Sequence, residues 1–338
     1  MSTSTLTTTV PKTVQTTLNY YLTPEKGGSK DIYPGRAANY RQKFDVHPAS
    51  VTDIRTTGED FSLDEQGFQV EKHNCSEKEW KDDDKIREIA YPEVRDLVKR
   101  VTGASHVHII GHFVRRHSWE NAAEAIKDLD DKDLVPLKSY STNRYCHIDQ
   151  SYNGAEAILR DELPQDAERL GKTRWAIINV WRPIARPVTR EALAVCDART
   201  VSDATDLHEV RLHIAQTSMF ASVNTSDKFI AWAVTANATH HWYYASNLTP
   251  EEALVFKIYD TSKTREVTEN GRKVEKARAR RVPHCAFITD QDHGPERESV
   301  EARARRVPHC AFITDQDHGP ERESVEVRCL VFWEDQKN

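Results

Sequence analysis

Short segments that alternate between apolar and polar residues, or are wholly apolar, recur along this chain and constrain its fold more than any other feature. Residues 175–181 form a strand-like run that Pro183 ends, and residues 325–333 alternate before they become fully apolar. Similar segments cover 106–110, 229–234, 242–244 and 254–259. Helical spacing of apolar residues is clear only near 79–100 and 155–170. Many short strands with few helices predict a mainly β fold with flanking helices, of the jelly-roll barrel type.

Composition and charge exclude several classes of protein. A chain of 338 residues, 38% hydrophobic and 30% charged, can bury a core inside a polar surface as one barrel domain. The net charge of −6 argues against a nucleic-acid binder. No Cys-x-x-Cys pair occurs, which fits a reducing compartment, and no apolar run approaches the roughly 20 residues that span a membrane. Since the Ser/Thr-rich start resembles no targeting peptide, we expect a cytoplasmic protein with residues 1–30 loosely ordered and 31–338 forming one domain.

Residues 277–301 recur without a mismatch as residues 302–326, and we call these two segments the first copy and the second copy. Natural structural repeats drift apart in sequence, so the doublet indicates a recent duplication or an artefact of the gene sequence. Only one copy can fill one place in a barrel. The second copy runs into the apolar residues 327–333, whereas the first runs into Arg303 and Arg305, which are costly to bury unpaired. We therefore predict that the barrel uses residues 302–326 and that residues 277–301 are an inserted duplicate.

His147 and Asp149 form the only His-x-Asp sequence of the chain. Residues two apart on a strand point to the same face, so the imidazole and the carboxylate can share a metal ion. A second histidine from a distant strand would complete the two-histidine, one-carboxylate face that is typical of non-haem Fe(II) oxygenases. The alternative interpretation is a surface His–Asp pair without a metal.

His309 lies in an extended, semi-apolar segment and is followed thirteen residues later by Arg322, with Ser324 on the same strand face. A guanidinium binds a carboxylate through two parallel hydrogen bonds, and a hydroxyl can add a third. Arg322 and Ser324 are therefore a chemically sensible anchor for the far carboxylate of 2-oxoglutarate. For Arg322, the alternative is an ordinary ion pair with a nearby acidic residue.

Three further groups admit two interpretations each. Asn179 and Trp181 share one face of a strand that is either buried or part of a pocket. The aromatic run 240–244 lines a substrate cavity or forms a core strand. His106 and His108 alternate as metal ligands do, but no carboxylate stands beside them, which favours a structural role.

Several stretches together resemble a fungal and bacterial oxygenase family. It includes GA4 desaturase-like proteins, the cephalosporin methoxylase-associated protein and hydroxylase/desaturases of fungal natural-product clusters. The stretches that carry the resemblance are residues 91–94, 101–104, 147–151, 178–183, 193–197, 242–244, 308–312 and 322–328.

The resemblance implies a double-stranded β-helix, a cupin-like jelly roll, that hydroxylates or desaturates a small-molecule secondary metabolite with Fe(II), 2-oxoglutarate and O2. It implies His147, Asp149 and His309 as iron ligands and catalytic residues, and Arg322 with Ser324 as the cosubstrate clamp. The doublet departs from the family pattern and leaves the first copy's own histidine and arginine, at 284 and 297, as rivals.

The partner that the resemblance implies is a small molecule, a natural-product intermediate. A homodimer is compatible with the resemblance, and neither nucleic acid nor membrane is expected as a partner. Two other functions remain open on the sequence. One is a catalytically inactive barrel that binds a small molecule or a partner chain. The other is a zinc hydrolase that uses the same ligands, although an Arg-x-Ser pair has no evident role there.

Overall fold

The computed structural model describes residues 11–131, 140–213, 229–269, 271–289 and 321–337. Within these ranges the chain is built mainly of strands, with short helices beside them. The strands are β1 (Thr13–Tyr21), β2 (Asp31–Ile32), β3 (Phe44–Asp53), β4 (Phe68–Lys72), β5 (His106–His117), β6 (Tyr140–Ser141), β7 (His147–Ile148), β8 (Thr173–Pro183), β9 (Leu193–Cys196), β10 (Leu207–Leu212), β11 (Ile230–Val234), β12 (Trp242–Tyr244), β13 (Glu252–Asp260), β14 (Thr264–Glu269), β15 (Arg272–Ala277), β16 (His284–Ala286) and β17 (Ser324–Lys337). The helices are α1 (Ala37–Tyr40), α2 (Asp83–Lys85), α3 (Tyr91–Thr102), α4 (Trp119–Ala125), α5 (Tyr152–Glu162), α6 (Ala167–Leu170) and α7 (Asp203–Asp206).

Two sheets make up the body of the fold, and the predicted mainly β architecture with flanking helices is confirmed. The larger sheet has the order β1-β3-β12-β9-β16-β7-β11-β10-β2, and the smaller has the order β4-β13-β8-β17-β5-β6. Strands β14 and β15 form a separate hairpin. No helix in the described ranges is long and apolar enough to cross a membrane.

Strand β8 shows why its sequence is continuously apolar. Trp175, Ile177 and Trp181 belong to the core cluster shared with the larger sheet, whereas the alternate residues Ile178 and Val180 belong to a second cluster. That second cluster contains the buried face of α3. Because both faces of the strand are covered, the alternation that marks a half-exposed strand is absent.

The helices depart from the sequence prediction in two places. Pro164 follows α5, and the helical pattern predicted over 155–170 is divided into α5 and α6, because proline restricts the preceding residue and lacks an N–H. The pattern near 79–100 becomes a single turn, α2, a π-helical segment Ile86–Ala90 and then α3. Gly103, at φ 67°, ends α3 in the left-handed region that favours glycine.

We expected residues 1–30 to be loosely ordered, but this range contains the regular strand β1. Strand β1 pairs antiparallel with β3 over its whole length, from Thr13 opposite Thr52 to Tyr21 opposite Phe44. Val14 and Leu18 are buried in the main core. The segment carries few apolar residues among its threonines, so its sequence gave no strong strand signal, and pairing with β3 supplies the order.

The two copies of the doublet contribute to different sheets. Strand β16 comes from the first copy, and β17 begins in the second copy and extends beyond it. Residues 277–289 of the first copy, predicted to be an insertion, therefore lie in the fold directly after β15. This differs from the expectation because the first copy reaches the larger sheet through a short connection, and short loops close at low entropic cost. Residues 290–320, which include most of the second copy, lie outside the described ranges.

Candidate metal centre

Strands β7 and β16 are neighbours in the larger sheet and bring two histidines together. His147 on β7 is the direct cross-strand partner of His284 on β16, and their ring centroids are 4.4 Å apart. Both side chains are buried. Directly opposite residues of an antiparallel pair project to the same side of a sheet, so two imidazoles so placed can face one ion.

Each histidine is held in one orientation by a backbone carbonyl two residues earlier. His147 Nδ1 lies 2.8 Å from the oxygen of Tyr145, and His284 Nδ1 lies 3.1 Å from the oxygen of Val282. A carbonyl only accepts, so in both rings Nδ1–H donates and Nε2 is the nitrogen left to face a metal ion, the arrangement typical of metal-binding histidines. The Nδ2 of Asn143 lies 3.3 Å from His147 Nε2. Burial, reinforced by His147, lowers the pKa of His284 to about 3, so this ring is neutral at physiological pH.

Asp149 completes the group. Its Oδ1 lies 3.5 Å from His147 Nε2, and its Oδ2 lies 3.6 Å from His284 Nε2. One ligand atom from each of the three residues lies within 4.8 Å of the other two. Burial alone would raise the pKa of Asp149, but Arg328, His284 and His147 hold it well below its usual range. Two imidazoles and one carboxylate form a donor set that suits Fe(II) and leaves other coordination positions open.

The Asp149 carboxylate is also tied to neighbouring strands. Asn179 Nδ2 on β8 and Arg328 Nη2 on β17 each lie 2.8 Å from Asp149 Oδ2. Arg328 in turn contacts Glu326, at 3.1 Å. Burial and the nearby Asp149 raise the pKa of Glu326. Asn179 had been interpreted as either buried or part of a pocket, and it is fully buried, with its amide on the Asp149 carboxylate. The contact of Arg328 with Asp149 was not predicted.

Arg322 and Ser324 lie at the start of β17. Both are buried, and the Arg322 guanidinium lies 5.2 Å from the centroid of the Trp181 ring while Nη1 donates to the backbone oxygen of Glu191. The Ser324 hydroxyl is buried without a hydrogen-bond partner among the described residues. A buried hydroxyl of this kind is costly unless a ligand satisfies it. A buried cation and this hydroxyl together fit a carboxylate-bearing cosubstrate.

A cavity of about 80 Å³ reaches two of the three candidate ligands, His147 and Asp149. His147, Asp149 and Arg328 line one part of it, and Phe113 and Arg115 line another. Pro34 and Gly35, between β2 and α1, and Asn39 and Tyr40 on α1 contribute to its lining as well. His147 and Asp149 are therefore reachable from a concave space rather than sealed inside the core.

Other residues considered in the sequence lie away from this group. The His106 ring stacks on Phe332, and His108 Nε2 lies 3.2 Å from a carboxylate oxygen of Glu162. In the aromatic run 240–244, Trp242 is buried in the main core, with its Nε1 donating to the Tyr20 hydroxyl. These contacts support structural roles for both groups.

The second copy's histidine, His309, and the first copy's arginine, Arg297, lie outside the described residues. The structure thus brings His147, Asp149 and His284 together. It places Arg322 beside Trp181 of β8, and Ser324 begins the strand β17 that pairs with β8. Arg328 could have been found from the polar residues that alternate along an otherwise apolar strand at positions 322, 324, 326 and 328. The residue that each of these side chains contacts could not have been predicted, because that contact depends on how the strands pair.

Known proteins resemble this chain over most of its length. A family model described as an oxidoreductase/YMDC permease-like domain matches residues 18–305. The hydroxylase/desaturase efuI of Hormonema carpetanum is 40% identical over 96% of this chain and 97% of its own. An alpha-ketoglutarate-dependent dioxygenase, phiK, of a fungal species is 30% identical over 85% of this chain and 94% of its own.

A solved structure agrees with the fold. The iron and alpha-ketoglutarate-dependent endoperoxidase NvfI has a TM-score of 0.66 at 24% identity, over 96% of this chain and 99% of its own. At this level of identity the likeness establishes the architecture, and the jelly-roll prediction is confirmed by it.

Proposed function

Since this chain belongs to the family of fungal hydroxylase/desaturases and 2-oxoglutarate-dependent dioxygenases that these relatives represent, we propose that His147, Asp149 and His284 hold its catalytic iron and that Arg322 with Ser324 anchors its cosubstrate. The protein is an Fe(II)- and 2-oxoglutarate-dependent oxygenase that hydroxylates or desaturates a small molecule of secondary metabolism. The single observation that carries the site assignment is the convergence of three ligand atoms within 4.8 Å of one another.

The residues of the chain have distinct roles in this proposal. When bound, the iron supplies the activation of O2 that is coupled to oxidative decarboxylation of 2-oxoglutarate to succinate and carbon dioxide. His147 and His284 present Nε2 because their Nδ1 atoms are engaged with the backbone. Arg322 supplies charge and Ser324 a hydroxyl to the far carboxylate of the cosubstrate. The buried surroundings of these groups exclude bulk water, which strengthens each of those contacts.

Anaerobic titration tests the site as a whole. We expect the purified protein to bind Fe(II), and 2-oxoglutarate added without oxygen to produce a charge-transfer absorption band. Asp149→Ala should abolish both metal binding and succinate formation while the circular dichroism spectrum is retained, because Arg328 keeps Glu326 as a partner. Metal binding at wild-type affinity in this variant would refute the site. Binding without succinate would instead indicate an inactive barrel, and zinc-dependent hydrolysis without succinate would indicate a hydrolase.

The doublet requires its own test, because the second copy offers His309 in the same sequence context as His284. We assign the third ligand to His284, which is the histidine paired with His147. His284→Ala should therefore abolish metal binding, and His309→Ala should leave it intact. The reverse result would restore the assignment to His309. Survival of both single variants with loss in the double variant would show that either copy supplies the ligand, and would overturn the assignment to one of them.

The finer features of the function are part of the same proposal. We propose that the substrate is a natural-product intermediate and that the enzyme works in the cytoplasm, as a homodimer. For the substrate class, support comes from the relatives, which include a protein named as a gibberellin cluster GA4 desaturase of Gibberella fujikuroi. Sedimentation velocity of the purified chain tests the dimer, and the expected result is a single species of twice the 38.7 kDa chain mass.

A further inference from the structure

Arg328 and Asn179 are direct cross-strand partners on β17 and β8, and they form a closed set of contacts with the metal-ligand carboxylate. Arg328 Nε donates to Asn179 Oδ1 at 3.2 Å, and Arg328 Nη2 lies 2.8 Å from Asp149 Oδ2. Asn179 Nδ2 donates to that same oxygen at 2.8 Å. Both residues are almost fully buried. Each of the three side chains therefore contacts the other two.

The two donors converge on one carboxylate oxygen, and this distinguishes the two oxygens of Asp149. A carboxylate offers about four lone-pair sites, two on each oxygen. Asn179 and Arg328 account for both lone-pair sites of Oδ2, which lies 3.6 Å from His284 Nε2, whereas Oδ1 lies 3.5 Å from His147 Nε2 and receives neither of these two donors. Oδ1 is thus the oxygen with lone pairs available to an ion that both histidines share.

We infer that Arg328 and Asn179 are positioning residues that hold Asp149 as a ligand through Oδ1 alone. A carboxylate that bound through both oxygens would fill one more coordination position. A face of three single-atom ligands leaves the open positions that a chelating cosubstrate and O2 require. The inference rests on the proposed metal site. It goes beyond that site by naming the residues that set the number of open coordination positions.

Glu326 holds Arg328 in place for this role. It lies two residues earlier on the same strand, and its Oε1 is 3.1 Å from Arg328 Nη2. The same nitrogen therefore faces one carboxylate on each side, which fixes the guanidinium in one orientation. Outer contacts of this kind orient metal ligands, and their loss typically weakens metal binding about 10–100-fold.

Metal titration of the full-length protein tests the inference without any need for the substrate. Co(II) is a useful probe because its visible absorption reports coordination number. We would titrate metal-free wild type, Asn179→Ala, Arg328→Lys and the double variant Glu326→Gln/Arg328→Met with Co(II) alone. The double variant removes Arg328 together with the carboxylate that it would leave buried and unpaired. Asn179→Ala tests the same carboxylate contact with no change of charge.

Arg174 provides the matched control. It is a buried arginine on β8 that pairs with Asp260 at 2.9 Å, apart from the metal ligands. Arg174→Lys makes the same chemical change as Arg328→Lys. A general loss of packing would affect both variants alike, whereas positioning of Asp149 involves only Arg328.

We expect the affinity for Co(II) to fall about 10–100-fold in Asn179→Ala and in the double variant, with an altered visible spectrum. The affinity of Arg328→Lys for Co(II) should lie between those of these variants and that of wild type, because an ammonium cannot contact Asp149 and Asn179 as a planar guanidinium does. Arg174→Lys should keep the wild-type affinity and spectrum. Folded variants with unchanged affinity and spectrum would overturn the inference alone. A wild-type protein that bound no Co(II) would overturn the proposed metal site, and the inference with it.

Discussion

Arg322 is the residue whose chemistry most separates a 2-oxoglutarate enzyme from another metal protein. It is buried beside Trp181 and lies two residues before Ser324, whose buried hydroxyl has no hydrogen-bond partner among the described residues. Hydrogen bonds to a charged group contribute about 1.5–3 kcal/mol, so we expect Arg322→Ala to raise the 2-oxoglutarate requirement roughly 10–100-fold while Fe(II) binding survives. Arg322→Lys should rescue only in part, since an ammonium lacks the planar fork. Isothermal titration of the metal-loaded protein with 2-oxoglutarate measures this directly.

Arg297 is the natural control for that experiment, because it occupies the equivalent position in the first copy. Arg297→Ala should leave the affinity for 2-oxoglutarate unchanged. If Arg297→Ala weakens binding and Arg322→Ala does not, the anchor comes from the other copy. Wild-type affinity for 2-oxoglutarate in both variants would remove the arginine anchor from the proposal altogether.

Part of the candidate site could be predicted from residue spacing, and part could not. His147 and Asp149 are two residues apart on one segment, so local geometry was enough to place them together. Asn179 and Arg328 lie 149 positions apart in sequence and meet only because β8 and β17 pair in one register. A sequence shows which residues alternate on a strand, but the identity of the residue opposite depends on the whole sheet.

At the scale of strands, a buried ion-pair network joins β13 to β8. Lys257 Nζ lies 2.7 Å from Asp260 Oδ2, and Arg174 Nη2 lies 2.9 Å from the same oxygen. Lys257 Nζ also donates to the backbone oxygen of Ala279, at 3.1 Å, and so reaches the start of the first copy. The network thus connects the smaller sheet to the segment that leads into β16.

Asp260→Asn should destabilise the fold, because it removes the fully buried carboxylate that Lys257 and Arg174 share and leaves them only the partly exposed Asp64, 3.0 Å from Lys257 Nζ, as an acidic partner. Breaking a buried pair costs about 3–5 kcal/mol, which chemical denaturation would measure. Asp166→Asn is the control: its pair with Arg169 is exposed, so little change is expected. The affinity for Co(II) should be the same in both variants. A loss in Asp260→Asn no larger than in Asp166→Asn would contradict a stabilising role for the network.

The pH dependence of the same pair has a definite sign. Burial would raise the pKa of Asp260, but Lys257 and Arg174 hold it below its usual value. A carboxyl with a lowered folded-state pKa stabilises fully above its unfolded pKa of about 3.9, and it loses that effect as the pH falls through the folded value. The stability difference between wild type and Asp260→Asn should therefore shrink below about pH 4. A difference that stayed constant down to pH 2 would be inconsistent with this explanation.

Strand prediction succeeded where a segment was long and apolar, and it failed where pairing supplied the order. The predicted run at 175–181 became the centre of β8, and the run at 325–333 became most of β17. Strand β1 was missed because threonine and asparagine separate its buried residues. The choice between the two copies could not be made from composition, since both have the same sequence.

At the scale of the whole molecule, the doublet predicts that one copy is dispensable. Deleting residues 277–301 or residues 302–326 gives the same shorter chain, because the copies match without exception. That chain keeps a histidine, an arginine and a serine at the spacing of a single copy. We expect it to fold, bind Co(II) and form succinate, since halving a loop changes its closure cost by only about 0.6 kcal/mol.

The control for the deletion is the same shortened chain made from the His284→Ala variant by removal of residues 302–326. It retains neither His284 nor His309 and should fold without binding Co(II). If the shortened chain with its histidine intact fails to fold, the two copies have separate structural roles. If it folds but binds no metal, the third ligand does not come from the doublet.

Because strands from both copies form the two sheets, a change in the number of copies has a predictable effect on the encoded fold. Strand β16 is encoded in one copy and the start of β17 in the other, yet either copy encodes both sequences. A recombination event between the copies that removed or added one unit in frame would leave the sequence available to every strand unchanged. Alleles with different numbers of units should therefore encode the same pair of sheets. Selection that acts on the fold would not distinguish alleles by their number of units.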